Sequence, residues 1–253
     1  MNMFSWLVAR GNNGVYPMKK ILLAFEGFLV IACLACGLYK NDYYHADDYA
    51  LETLEHPAEG ISVAREHNRI IFSPENPRAG LIFYPGGKVQ YESYAPLMEA
   101  CASQGLLCVL VHMPGNLAVF DMDAADGIPD EYPQVEDWYI GGHSLGGSMA
   151  AAYLGSHTEE YDGLILLASY STGDLSGSAL KVLAVYGSED RVLNMDSYEK
   201  YRENLPEDFT EYVIPGGCHA FFGSYGAQKG DGQPDLTNEE QIRLTADMIG
   251  QWF

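Results

Sequence analysis

Six short apolar runs recur along the chain, at residues 80–84, 106–111, 139–141, 164–168, 180–186 and 209–214, and each has the texture of a buried strand. Between and after them lie segments with helical spacing, near 94–103, 117–125, 145–157, 196–204 and 237–252. The last opens with Thr237-Asn238-Glu239-Glu240, in which a threonine three residues ahead of a glutamate makes a capping box. Upstream, 61–66 and 69–72 alternate like two strands around a His67-Asn68 turn, which predicts an antiparallel hairpin. Strand and helix alternating this often predict an α/β fold, with a mostly parallel sheet covered by helices on both faces and no room for a large cap. No internal repeat or low-complexity tract interrupts the pattern.

The amino-terminal part reads differently. Residues 1–20 are a polar, Gly- and Asn-containing segment, and Met18-Lys19-Lys20 resembles the start of an export signal, so translation is expected to begin at Met1 or Met18. Residues 21–39 are apolar except for Glu26, with no polar face, and nineteen such residues suffice to cross a bilayer. Three readings stay open. The segment is a transmembrane anchor; or Val30-Ile31-Ala32-Cys33 or Cys33-Leu34-Ala35-Cys36 is a lipobox, with Cys33 or Cys36 lipid-modified; or it is a cleaved signal. In each, Arg10, Lys19 and Lys20 hold the amino-terminal flank inside, which predicts a membrane- or lipid-anchored protein with its main domain outside the cytoplasm. Residues 40–60 form a linker with a short helix near 46–54, and 61–253 the domain itself.

Composition sharpens this. The 253 residues are 47% hydrophobic, enough to bury one sizeable core. The formal charge of −21 resides in the domain, because the first 40 residues carry four basic side chains against one acid. A body so acidic repels phosphate backbones, which excludes nucleic acid as a partner. Apart from Cys33 and Cys36, only Cys101, Cys108 and Cys218 remain, so at most one internal disulfide can form. Asp121, Asp123, Asp126 and Asp130 miss the EF-hand spacing, and Asp231 with Asp235 does no better, so neither metal nor cofactor is expected.

Chemistry in such sheets belongs just beyond the carboxyl ends of the strands. After the 139–141 run comes Gly142-His143-Ser144-Leu145-Gly146, a G-x-S-x-G turn that would hold Ser144 Oγ above the sheet at the start of a helix. A serine attacking a carbonyl needs two N–H donors for the oxyanion; Leu145 supplies one and the Pro85-Gly86-Gly87-Lys88 loop the other, from Gly87 first and Lys88 second. It also needs a base and an orienting acid, in the order serine, acid, histidine. Of seven histidines only His219 follows the last strand-helix unit, and the loop after 180–186 offers Asp190, then Glu189, with Asp196 a distant third. Substrate contacts fall to Lys88, His112 and Phe221, each of which has an ordinary structural explanation as well.

At these residues the chain resembles the α/β-hydrolase superfamily, and more closely a compact, export-signal-bearing, membrane-associated bacterial branch distantly similar to dienelactone hydrolases. The resemblance spans about residues 43–252. It rests on Tyr43-Tyr44-His45-Ala46-Asp47, Phe83-Tyr84-Pro85-Gly86-Gly87-Lys88-Val89, Met113-Pro114-Gly115-Asn116-Leu117-Ala118-Val119-Phe120, the Ser144 turn, and Gly216-Gly217-Cys218-His219-Ala220 through Gly226. It implies a serine hydrolase with a Ser144, Asp190 and His219 triad acting on a small-molecule acyl substrate, an ester first, with amide and thioester open. Serine stands at 144, where dienelactone hydrolases commonly carry cysteine, so their substrate does not transfer. The competing expectation is a membrane-tethered module that binds an envelope lipid or glycan without turning it over.

Overall fold

Strands β1 (Ile61–Glu66) and β2 (Arg69–Pro74) form the expected hairpin, antiparallel from Ile61 opposite Pro74 to Glu66 opposite Arg69, with His67 at φ 49° in the turn. The computed structural model describes residues 42–253 of the chain. Strands β3 (Ala79–Tyr84), β4 (Leu106–Val111), β5 (Trp138–His143), β6 (Gly163–Leu167), β7 (Lys181–Gly187) and β8 (Phe209–Ile214) complete one eight-stranded sheet. Its order is β1-β2-β4-β3-β5-β6-β7-β8. Only the β1–β2 and β2–β4 pairs are antiparallel. The helices among the described residues are α1 (Asp48–Glu55), α2 (Ala95–Ser103), α3 (Ile128–Glu131), α4 (Leu145–Leu154), α5 (Met195–Lys200) and α6 (Asn238–Trp252).

Alternation along each strand sends its side chains into two separate cores. Leu81 and Phe83 join Leu97 of α2 and Ile242 and Ile249 of α6 on one face. Ile82 and Tyr84 join Ala150 and Leu154 of α4 and Tyr198 of α5 on the other. Burial on both faces explains why the central strands are apolar throughout rather than alternating. The capping box forms as the sequence predicts, with Thr237 accepting from the Glu240 N–H and Glu240 from the Thr237 N–H.

Two predicted helices change. Residues 117–125 are a chain of turns, including a 3₁₀ turn at Ala118–Phe120. Gly115 and Asn116 enter them in left-handed conformations, with φ 62° and 56°. The buried residues within 117–125 are the small Ala118 and Ala125, while Val119, Phe120 and Met122 are exposed. The Tyr84 hydroxyl donates to the Met122 carbonyl (2.7 Å) and accepts from the Ala125 N–H (3.0 Å), serving backbone groups that a helix would have paired internally. Likewise 196–204 becomes α5 followed by a 3₁₀ turn at Arg202–Asn204. The expectations for residues 1–20 and 21–39, including Cys33 and Cys36, lie outside the described residues; within these, no helix is long and apolar enough to cross a membrane.

Urea denaturation should separate local from central contributions. Thr237→Ala, which removes an exposed helix cap, is expected to cost about 1 kcal/mol. Leu183→Ala, at a fully buried position of β7, is expected to cost about 2–5 kcal/mol. Equal losses would contradict this division.

Candidate active site

Strand β5 runs into α4 through a single residue, Ser144, at φ 52° and ψ −121°. A side-chain-bearing residue held there stores about 1–3 kcal/mol of strain, and it persists only where the surroundings dictate it. The Ser144 N–H donates to the Leu167 carbonyl at the end of β6 (2.9 Å), and its own carbonyl accepts from Ser148 (3.2 Å). The turn also depends on close backbone approach. A Cβ on Gly142 would lie 2.6 Å from the Tyr84 carbonyl oxygen, and one on Gly146 only 2.2 Å from it.

The loop after β7 presents Asp190. Its Oδ1 accepts the N–H groups of Val192 and Leu193, both at 2.8 Å, and its Oδ2 lies 2.8 Å from His219 Nδ1. Both side chains are 1% exposed. A carboxylate already taking two amide protons acts as an acceptor toward the imidazole, so the ring carries its proton on Nδ1 and leaves Nε2 as the basic nitrogen. His219 Nε2 is buried and has no hydrogen-bond partner. Glu189, the reserve acid, instead pairs with Arg191, and Asp196 is an exposed residue in the first turn of α5.

His219 and Ser144 line one cavity of about 240 Å³, together with Leu145, Tyr170, Leu193 and Asn194 among others. No hydrogen bond joins Ser144 Oγ to Nε2. A wider groove, about 720 Å³ and edged by α2 and α6, contains none of these residues. It is an acid-rich surface in which Arg243 pairs with Asp247.

Leu145 is the first residue of α4, so its N–H has no acceptor within the helix. Gly87 lies against it: a Cβ there would meet Leu145 Cδ2 at 2.9 Å. The Gly87 N–H makes no hydrogen bond to another described residue, whereas its neighbours are occupied. Gly86 donates to the Tyr94 hydroxyl (3.0 Å), and Lys88, at φ 60°, donates to the Asn116 carbonyl (2.8 Å). Of the predicted substrate contacts, none lines the cavity. Lys88 turns the loop after β3, His112 stacks edge-on against Tyr91 with centroids 5.0 Å apart, and Phe221 is half-buried against the core. Cys218, next to His219, is buried and free, its thiol pushed up to about 12 by burial and by Asp231.

Several residues that hold the site carry no sequence signal. Gln241 of α6 accepts from the Cys218 N–H (2.9 Å) and donates to the Cys218 carbonyl (2.8 Å), clamping the residue before His219. Asp231 accepts from the Ala220 N–H (2.8 Å) just after it. His143, between the glycine and the serine of the turn, is buried against His219, with ring centroids 4.5 Å apart. Burial first, and the adjacent His219 second, hold its pKa well below 6.5.

The sequence pattern of the alpha/beta hydrolase family matches residues 80–243. No curated protein matches the chain by sequence. Among solved structures, a dienelactone hydrolase from Anabaena variabilis is 15% identical with a TM-score of 0.57, covering 77% of this chain and 98% of its own. A predicted CIB-like hydrolase from Thermoplasma acidophilum is 18% identical with a TM-score of 0.56, over 76% of this chain and all of the other. A monoacylglycerol lipase from Paleococcus ferrophilus is 15% identical with a TM-score of 0.56, over 74% and 99%.

Two measurements probe this arrangement. Gly146→Ala forces a methyl group onto the Tyr84 carbonyl and should lower stability by about 1–3 kcal/mol in thermal unfolding, whereas an unchanged melting temperature would show that the turn can relax. The neutral, buried His143 must give a pH slope: the unfolded chain binds a proton below about 6.5 while the folded chain does not, so this contribution is present above 6.5 and is lost as the pH falls below it. Urea unfolding at several pH values should show a shallower acid-side loss for His143→Gln than for the wild type.

Proposed function

The chain belongs to the alpha/beta hydrolase family, and on that premise we propose that it is a serine hydrolase cleaving small carboxylic esters through an acyl-enzyme. The observation that carries the reading is the buried Asp190–His219 pair, whose second imidazole nitrogen is unpartnered and whose ring shares a cavity with Ser144.

Ser144 Oγ attacks the ester carbonyl carbon, and its proton passes to His219 Nε2. The carbonyl electron pair moves onto oxygen, which the N–H groups of Leu145 and Gly87 receive. The intermediate collapses by breaking the bond to the alcohol, which takes the proton from Nε2 and leaves the acyl group on Ser144. Water then repeats the sequence and frees the acid. Asp190 holds the imidazole in the tautomer with Nδ1 protonated and stabilises its cation at each stage. The base is worth about 10²–10⁴ in rate and an oxyanion donor about 10²–10³. That no hydrogen bond yet joins Ser144 to His219 is compatible with this scheme, since such bonds tighten when substrate fills the site.

The size of the cavity supports a small substrate. About 240 Å³ lies below the roughly 300–1,000 Å³ of pockets that enclose drug-sized ligands. Short acyl p-nitrophenyl esters should therefore turn over faster than dodecanoyl ones. A fluorophosphonate probe should label the wild type, and Ser144→Ala, still folded by circular dichroism, should show no labelling. Undiminished labelling of that variant would refute the nucleophile.

A further inference from the structure

Beside the triad lies a second buried polar chain that the mechanism above does not use. The Gly86 N–H donates to the Tyr94 hydroxyl at 3.0 Å, and that hydroxyl lies 2.8 Å from His143 Nδ1. Tyr94 and His143 are 0% and 1% exposed, so the chain is shielded from bulk solvent. The hydroxyl has one hydrogen, and His143 Nδ1 is the acceptor within its reach. The alternative, a proton on Nδ1, would leave both the hydroxyl hydrogen and Nε2 without partners in the core. His143 thus carries its proton on Nε2. That atom makes no hydrogen bond of good geometry and lies beside the backbone of His219, which favours a proton there.

We propose that Tyr94 and His143 are positioning residues that couple the oxyanion loop to the base: Tyr94 anchors the Pro85-Gly86 peptide that leads into the Gly87 donor, and the His143 ring backs the His219 imidazole. The inference rests on the serine-hydrolase reading. At the loop end, Tyr94 holds the Pro85-Gly86 peptide by its N–H, and the next peptide, which carries the Gly87 N–H, is held at the Gly86 carbonyl by the Val89 N–H (3.2 Å), so the two planes on either side of the Gly86 Cα are both anchored. The contact admits no larger residue, because a Cβ on Gly86 would lie 2.7 Å from the Tyr94 oxygen and 2.8 Å from His143 Nδ1. At the base end, the His143 ring has His219 at 4.5 Å and Phe222 at 5.6 Å. The titratable groups facing His143 are Tyr94 and His219, with Asp190 behind the latter. A neutral His143 sets no second positive charge against the imidazolium that forms when His219 takes the serine proton. Burial first, and the adjacent His219 second, keep it neutral, while the Tyr94 hydroxyl occupies its Nδ1.

Because the oxyanion forms only once the serine attacks and is absent from the bound ground state, loosening its donor should lower kcat and leave KM alone. Tyr94→Phe is expected to reduce kcat on a short p-nitrophenyl ester about tenfold, with KM changed less than about twofold. His143→Phe removes the acceptor and should fall as far. His143→Gln, which offers Tyr94 a neutral carbonyl oxygen, should recover most of the rate, and Tyr94→Phe with His143→Phe should be no slower than either alone. Wild-type kcat in His143→Phe, or additive losses in the double variant, would overturn the proposal. Nitrogen-15 NMR of the wild type reads the network without any substrate. His143 should show an unprotonated, hydrogen-bonded Nδ1 that does not titrate between about pH 5 and 8; a protonated Nδ1, or titration there, overturns the coupling even if the variants misfold. Fluorophosphonate labelling of the wild type separately tests the hydrolase reading, so the two can fail independently.

Discussion

The hydrogen bond between Asp190 and His219 is the contact on which the site depends. It buries two polar side chains from different loops, and groups so placed are costly unless every donor and acceptor is met. The surrounding structure meets them: two backbone N–H groups reach Asp190 Oδ1, Gln241 grips the residue before His219 at both its N–H and its carbonyl, and Asp231 holds the residue after it. What stays unmet is Nε2, the nitrogen that the proposed mechanism uses as its base. A network satisfied everywhere but at one nitrogen directs its reactivity to one place.

The sheet brings this pair to the serine. Strands β5, β6, β7 and β8 lie side by side and parallel, so the loops bearing Ser144, Asp190 and His219 all emerge at one edge. Strand β3, on the other side of β5, delivers the Gly86-Gly87 loop to the same edge. The strained Ser144 turn is held from both flanks, by the Leu167 carbonyl at β6 and by the packing of Gly142 and Gly146 against Tyr84 at the end of β3. The strain is local, whereas its support comes from three strands.

Much of this was legible beforehand, for reasons that differ between elements. The central strands were visible because burial on both faces demands unbroken apolar runs, and α6 because Thr237 and Glu240 sit at the spacing a capping box requires. Residues 117–125 misled because Leu117, Val119, Phe120 and Met122 suggest a helix face, yet Val119, Phe120 and Met122 are exposed and the Tyr84 hydroxyl takes up two of the segment's backbone groups. Lys88, His112 and Phe221 were chosen for lying near the right loops, but nearness along the chain does not say which way a side chain points. Tyr94 and Gln241 went unremarked, and His143 was given no role within the serine turn, because a buried hydrogen bond between distant residues leaves no periodicity behind it.

By itself, then, the amino-acid order determined the class of fold, the succession of its elements and the loops that carry reactive residues, since these follow from local pattern and from the strict order of nucleophile, acid and base. Only the folded chain decided the rest: the spatial order of the strands, the choice of Asp190 over Glu189 as the partner of His219, and the joining of Gly86 to His143 through one tyrosine hydroxyl. Those choices depend on which groups meet when distant segments pack and on how each buried polar atom finds a partner. Neither is a property of any stretch of sequence taken alone.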